Sequence, residues 1–215
     1  MSVNLQKGQK VDLTKGNTGL KKIMVGLGWD EAPSSGQGKG LLGSLFGGGN
    51  KTQSIDCDAS AILCGSGGKI IGGRALIGQN MLSEDIVYFG NLSHTSRCVK
   101  HMGDNLTGAG EGDDEQIMVD LQDLPSRYEK IVFVVNIYKA GERNQHFGMI
   151  KNAFIRIVDA GTNKELCKFN LSDSYDNMTA MIFGEVYRYQ NEWKFNAMGE
   201  GTRDSGIVAT ANRYI

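Results

Sequence analysis

No stretch of this chain approaches the roughly 18 consecutive apolar residues that a membrane-spanning helix requires, so no direct membrane span is expected. The opening residues, MSVNLQKGQK, lack an apolar h-region, which argues against a secretory signal. Net charge is almost absent as well: 23 basic and 24 acidic side chains leave −1 over 215 residues. Lys and Arg gather into no stripe, which argues against nucleic acid as a partner. The four cysteines, Cys57, Cys64, Cys98 and Cys167, follow neither CxxC nor disulfide-scaffold spacing. In a chain with room for one sizeable core they read as reduced, mostly buried thiols of a cytoplasmic protein.

Charge that is missing overall is present locally. Residues 101–120 hold Asp104, Glu111, Asp113, Asp114, Glu115 and Asp120 and no Lys or Arg. That window carries −6, so the rest of the chain must carry +5 to reach the net −1. Acidity confined to one window does not serve general solubility.

Most apolar runs are short, rich in Val and Ile, and bounded by Gly, Asn or Asp, which is the punctuation of strands. About ten segments qualify: KKIMVGLGW, SIDCDASAILC, KIIGG, DIVYFG, EQIMVDL, EKIVFVVNIY, NAFIRIVDA, KELCKFNL, TAMIFGEVYRY and EWKFNAM. Turns are expected at GSGG (65–68), AGTN (160–163) and QNE (190–192). NAFIRIV alternates, with Ala153, Ile155 and Ile157 on one face and Phe154, Arg156 and Val158 on the other. The expectation is an all-β fold, a β-sandwich of about ten short strands. One short C-terminal helix is expected in DSGIVATANRYI, with Ile207, Val208, Ala211 and Tyr214 on one face and Asp204 or Ser205 as cap. The whole chain, 1–215, reads as a single domain. It is interrupted by a flexible insertion at about 33–50, which has seven glycines in eighteen residues.

The acidic stretch GDNLTGAGEGDDE (103–115) has five acidic residues and four glycines in thirteen. Two carboxylates about 5 Å apart repel by roughly 3 kcal/mol at an effective dielectric near 20. A divalent cation reverses that sign. The available ligands are oxygens: Asp104, Asn105, Thr107, Glu111, Asp113, Asp114, Glu115 and glycine-flanked carbonyls. An oxygen-only, glycine-rich loop suits Ca²⁺ better than Mg²⁺, Zn²⁺ or copper. It is not an EF-hand loop: Asp104 and Glu115 match positions 1 and 12, but Leu106 and Gly108 stand where ligands belong and Ala109 replaces the turn glycine. In SIDCDAS, Asp56 and Asp58 lie at i and i+2 on one strand face, with Ile55, Cys57 and Ala59 facing the core. Two readings stand for these segments. Either strand and loop complete one cation site, or both are solvated acidic surface.

Taken together, VGLGWD (25–30), DCDASA (56–61), YFGNL (88–92), GDNLTGAGEGDDEQIMVDL (103–121), EKIVFVVNIY (129–138), NAFIRIVD (152–159) and FGEVYRYQNEWKF (183–195) resemble the TerD family, linked to tellurite resistance and bacterial stress response. The resemblance spans nearly the whole chain. It implies a Ca²⁺-binding β-sandwich with a calcium-binding acidic loop and no catalytic activity. It also implies calcium-dependent protein–protein interaction with other stress-response or tellurite-resistance proteins, some of them membrane-associated. Carried over residue by residue, the implied metal ligands are Asp56, Asp58, Asn91, Asp104, Asn105, Thr107, Gly108, Asp113, Asp114 and Glu115. Where many members have two asparagines after the YF pair, this chain has Gly90-Asn91, and only Asn91 is carried over.

Competing chemistry is less well supplied. His94, Cys98 and His101 offer only three soft ligands for zinc. GSGGKI lacks both the first glycine and the Ser or Thr of a phosphate loop. The alternative function is a thiol-based redox protein acting on tellurite or a related oxyanion. Only Cys98, beside Arg97 and Lys100, has the cationic neighbours such a thiol needs.

Overall fold

Residues 131–137 are buried without exception, and a strand can be so only if both faces of its sheet are covered. The computed structural model, which describes residues 2–31, 54–71, 83–103, 112–171 and 173–215, supplies both covers. Its strands are β1 (Val3–Leu5), β2 (Lys10–Asp12), β3 (Lys22–Glu31), β4 (Cys57–Cys64), β5 (Ile86–Val87) and β6 (Val99–His101). There follow β7 (Glu115–Asp120), β8 (Lys130–Ile137), β9 (Ile150–Asp159), β10 (Lys164–Asn170), β11 (Ala180–Tyr189) and β12 (Glu192–Thr202). They form two six-stranded sheets, ordered β1-β10-β9-β3-β7-β6 and β2-β12-β11-β8-β4-β5. Every pairing is antiparallel except β1 with β10. The expected β-sandwich is the fold.

The main core lies between the sheets. Ile23, Val25 and Leu27 of β3 and Ile155 and Ile157 of β9 face Ala59, Ala61 and Leu63 of β4 and Phe133 of β8 within one cluster. These are the alternate residues of each strand, as period-2 geometry requires. The other face of the second sheet carries a smaller cluster, in which Ile62, Cys64, Val132 and Val134 are covered by Ala211, Ile207 and Tyr214. That cover is the C-terminal helix, α2 (Ile207–Ala211), with the 3-10 turn Asn212–Tyr214 that continues it; a four-residue helix, α1 (Ala140–Arg143), comes earlier in the chain. Double coverage explains why β8 reads as an unbroken apolar run, relieved only by Asn136.

Nine of the ten expected strand segments fall on strands; KIIGG does not, because its described residues Lys69–Ile71 are irregular. Strands β1, β2 and β6 are additions, each of three residues and too short to show a period. The turn at 65–68 is a 3-10 turn after β4 with no strand directly behind it, whereas AGTN joins β9 to β10 and QNE joins β11 to β12. Gln190 and Asn191 both take positive φ (49° and 67°), the two-residue hairpin geometry that matches strand twist. The helix cap differs from expectation. Gly206 is the N-cap; Asp204 instead holds Arg213 at 2.7 Å and accepts from the Thr202 hydroxyl at 2.7 Å. The glycine-rich stretch at 33–50 lies outside the described residues. Among the described residues no helix is long and apolar enough to cross a membrane.

Candidate functional site

Strand β5 pairs with Ala61 and Ile62, and among the described residues no strand runs along that edge of the first half of β4. A side chain from the opposite sheet takes its place. Glu115, the first residue of β7, accepts the Ala59 N–H on Oε2 at 2.5 Å, a charge-assisted bond that ties the two sheets at their edge. His101 of β6 stands beside it, with Nε2 3.3 Å from the same oxygen and both side chains buried. The ring's Nδ1 accepts the Gly103 N–H at 3.1 Å, so in the neutral ring the proton sits on Nε2, toward Glu115.

Asp58 lies half-buried on β4, directly across from Asn136 of β8, and Asp56 precedes the strand with its carboxylate 3.7 Å from Arg143. Cys57 and Ala59 between and after them are buried in the main core, as the alternation predicts. The Cys57 thiol reports what surrounds it. Burial pushes its pKa well above the ordinary value, and the charges of Asp58, Glu115, Asp56 and Asp114 push further in the same direction. The bond between Ala59 and Glu115 sets Asp58, one residue before Ala59, and Asp114, one residue before Glu115, at the same edge.

Asp114 extends the β3–β7 ladder by one rung. Its N–H donates to Leu27 O at 2.8 Å, and its Oδ2 accepts the Trp29 N–H at 2.7 Å. Burial raises its pKa; the Trp29 bond opposes this, and the charges of Asp30 and Asp113 add to the rise. Among the described residues no cation pairs with it.

Asp113 is placed differently. Its buried carboxylate takes Arg156 of β9 in a fork, Nε to Oδ1 at 2.7 Å and Nη2 to Oδ2 at 2.9 Å, and Gln116 Nε2 adds a third donor at 3.1 Å. The carboxylate lies flat on β3 because residue 26 is glycine: a Cβ there would come within 2.3 Å of it. Two residues on, a Cβ at Gly28 would strike the Phe154 ring at 2.4 Å. The spaced glycines of VGLGWD thus mark close approach over a strand, the signal that sequence reading passed over. Arg156 was missed, and His101 was weighed only as a soft zinc ligand: a histidine and an arginine in alternating strands carry no mark of their carboxylate partners. Asn91 donates its amide to Ile86 O at 2.8 Å, holding the 88–91 turn at the same edge. Asp104, Asn105, Thr107 and Gly108, with Glu111, lie outside the described residues.

The remaining candidates serve the interior. His94 accepts the Ser96 N–H on Nδ1 and turns Nε2 to Tyr128 Oη (3.1 Å) and Asp85 (3.3 Å). Tyr128 donates to Asp85 at 2.6 Å, and burial together with that bond pushes its pKa up to about 12. Cys98 is buried, with its thiol 3.4 Å from Ser96 O. Burial pushes Cys64 and Cys167 up to about 12. Among the described residues, no three His, Cys, Asp or Glu side chains stand close enough to hold a metal ion by themselves.

The chain matches the TerD domain family over residues 1–214. It is 49% identical over 217 residues to the stress response protein SCP2 of Bacillus subtilis (strain 168), covering all of both chains. It is 42% identical over 219 residues to the tellurium resistance protein TerX of Serratia marcescens, again covering all of both. Tellurium resistance protein TerD of the same organism is 39% identical, with all of this chain and 97% of the relative covered. Among solved structures, a protein of unknown function superposes with a TM-score of 0.61 at 22% identity, over 90% of this chain and 95% of the other. A homologue of telluride resistance protein (TerD) from Streptomyces coelicolor A3(2) gives 0.54 at 20% identity, over 85% and 90%. At those identities the two solved structures speak for the fold alone.

Proposed function

The chain belongs to the TerD family, and on that premise we propose that it is a Ca²⁺-binding, non-enzymatic stress-response protein, related in role to tellurium resistance and working in the cytoplasm. The observation that carries this reading is the bond from the Ala59 N–H to Glu115 between the two sheets, which sets Asp58 of β4 and Asp114 before β7 each one residue from the same link. All their donor atoms are oxygens, the set a hard cation of flexible geometry prefers. Asp58 and Glu115 sit on opposite sheets, so an ion between them would fasten the edge that β5 leaves open. The ligands still needed are those of the acidic segment between β6 and β7: Asp104, Asn105, Thr107 and the Gly108 carbonyl. In this reading the metal-ordered edge is the face that meets other stress-response or tellurite-resistance proteins, some at a membrane. Relatives named for stress response and tellurium resistance, none of them named as an enzyme, support the role. Thiol chemistry on an oxyanion has less to recommend it, since all four cysteines are buried and three have raised pKa values.

A ligand that binds only the folded state stabilises it by about 2.7 kcal/mol at a hundredfold excess over its dissociation constant. Chelator-treated protein is therefore expected to melt several degrees higher in Ca²⁺, and much less so in equal Mg²⁺, which demands stricter octahedral geometry. Equal shifts from the two ions would mean charge screening and no dedicated site.

A further inference from the structure

One buried acceptor on the outer face of the second sheet has no donor among the described residues. Asn136, 5% exposed, donates its amide Nδ2 to Thr210 Oγ1 at 3.2 Å. That hydroxyl in turn donates to Gly206 O, which fixes which end of the amide faces the helix. Asn136 Oδ1 therefore points the other way, and among the described residues nothing donates to it. Burying such an oxygen unmet is costly, a cost a fold retains where something else fills the place.

Asn136 lines a cleft of about 320 Å³ between α2 and the strands β4 and β8. The floor also carries Asp58 and Ser60; the walls are Ile207, Val208 and Phe89. Phe89 is 52% exposed and Val208 37%, so two of the apolar walls rise to solvent at the mouth. Asp58 stands directly opposite Asn136 in register, which brings their Cβ atoms to about 4.5–5.5 Å. The polar floor thus sets the acceptor-only Asn136 oxygen beside a carboxylate, so a donor to that oxygen gains from carrying positive charge. Lys139 at the rim is not that donor: its ammonium lies 3.5 Å from Glu142 and 5.6 Å over the Tyr138 ring. The volume is at the bottom of the range for ligand pockets, about 300–1,000 Å³, and aliphatic walls suit a narrow stem.

The geometry points to a binding site for a primary alkylammonium group, with the nitrogen donating to Asn136 Oδ1 in the field of Asp58 and the alkyl stem between Val208, Ile207 and Phe89. Two sources share this chemistry, a lysine side chain of a partner protein and a free aliphatic diamine. Neither needs the metal, so the cleft is tested with Ca²⁺ removed, and its failure leaves the calcium reading untouched. Because Asp58 borders both places, Ca²⁺ is expected to weaken the amine, which separates the two sites further.

The full chain, ¹⁵N-labelled and in chelator, is titrated with n-pentylammonium, n-pentanol and n-pentanoate while the Asn136 side-chain amide and the Ile207 and Val208 backbone signals are followed. Pentylammonium is expected to shift all three saturably. Pentanol should bind at least about tenfold more weakly, the worth of one charge-assisted hydrogen bond, and pentanoate should not saturate. Asn136→Leu should abolish the response. If that variant does not fold, Val208→Trp, at the exposed mouth, should fill the cleft and block binding in a folded protein. Cadaverine and Nα-acetyl-lysine-amide then separate the sources: the tighter of the two names the free amine or the protein side chain. Equal binding of pentanoate, unchanged binding to Asn136→Leu or Val208→Trp, or no saturable shift with any ligand overturns the assignment.

Discussion

Asp113 and Asp114 are neighbours in sequence and opposites in circumstance. Asp113 is buried and neutralised from within the chain, by a forked Arg156 laid over Gly26. Asp114 is half-buried and, among the described residues, has only the Trp29 N–H to steady it, its pKa raised by burial and by the charges of Asp30 and Asp113. Both precede β7, so strand alternation does not sort them; their contacts do, Asp113 lying over Gly26 in the grip of Arg156 and Asp114 turning to the Trp29 N–H, one residue before the Glu115 that reaches β4. The difference separates an acid paired within the fold from one that, on the proposed reading, is available to an ion, a distinction that composition cannot make.

The largest expected effect breaks the first member of the comparison. Arg156→Ala leaves the Asp113 carboxylate buried without its cation and should cost about 3–5 kcal/mol in urea unfolding. Adding Asp113→Asn should recover part of that loss by removing the stranded charge. A cost near zero for Arg156→Ala would show that Asp113 is not held by this pair.

A smaller effect, of opposite sign, sharpens the second member. The folded pKa of Asp114 lies above its unfolded value, so its ionised form opposes folding at neutral pH, and the penalty fades as pH falls through the carboxylate range. In chelator, Asp114→Asn should therefore be more stable than the parent at pH 7, with the gap closing toward acidic pH. A variant less stable than the parent at pH 7 contradicts this, since Asn retains an oxygen for the Trp29 N–H.

The smallest effect concerns the thiols. Cys98→Ser keeps a donor for Ser96 O and should change stability by less than about 1 kcal/mol. It should also leave survival under tellurite challenge as it was. Loss of protection with stability intact would restore the redox alternative.

Much of the sandwich was legible because strands print a period of two. NAFIRIV gave the buried face of β9 residue by residue, although Val158 on the other face is buried too. The Gln190-Asn191 turn was legible from its chemistry. Sheet order was not, since alternation shows which residues face inward and not which strand lies alongside. The three-residue strands β1, β2 and β6 exist by pairing with long neighbours, and no window that short has a period. At the candidate site, the pattern in SIDCDAS placed Asp56 and Asp58 on the outward face correctly. It could not separate Asp113 from Asp114, because the deciding residue, Arg156, lies 43 positions away. Nor could it foresee Gly206 as the helix cap, where Asp204 is drawn off by Arg213 from beyond the helix.

The most direct measurement of the central claim is calorimetric titration of Ca²⁺ into chelator-treated protein, parent beside Asp58→Asn, Asp114→Asn and Asp113→Asn, each first shown to be folded. If β4 and the start of β7 share one ion, Asp58→Asn and Asp114→Asn should each weaken binding by at least about tenfold, the worth of one lost charged ligand at roughly 1.4 kcal/mol. Asp113→Asn should weaken it far less, because that carboxylate already belongs to Arg156. Binding that ignores Asp58→Asn and Asp114→Asn, or a parent that takes up no Ca²⁺ at all, would contradict the account.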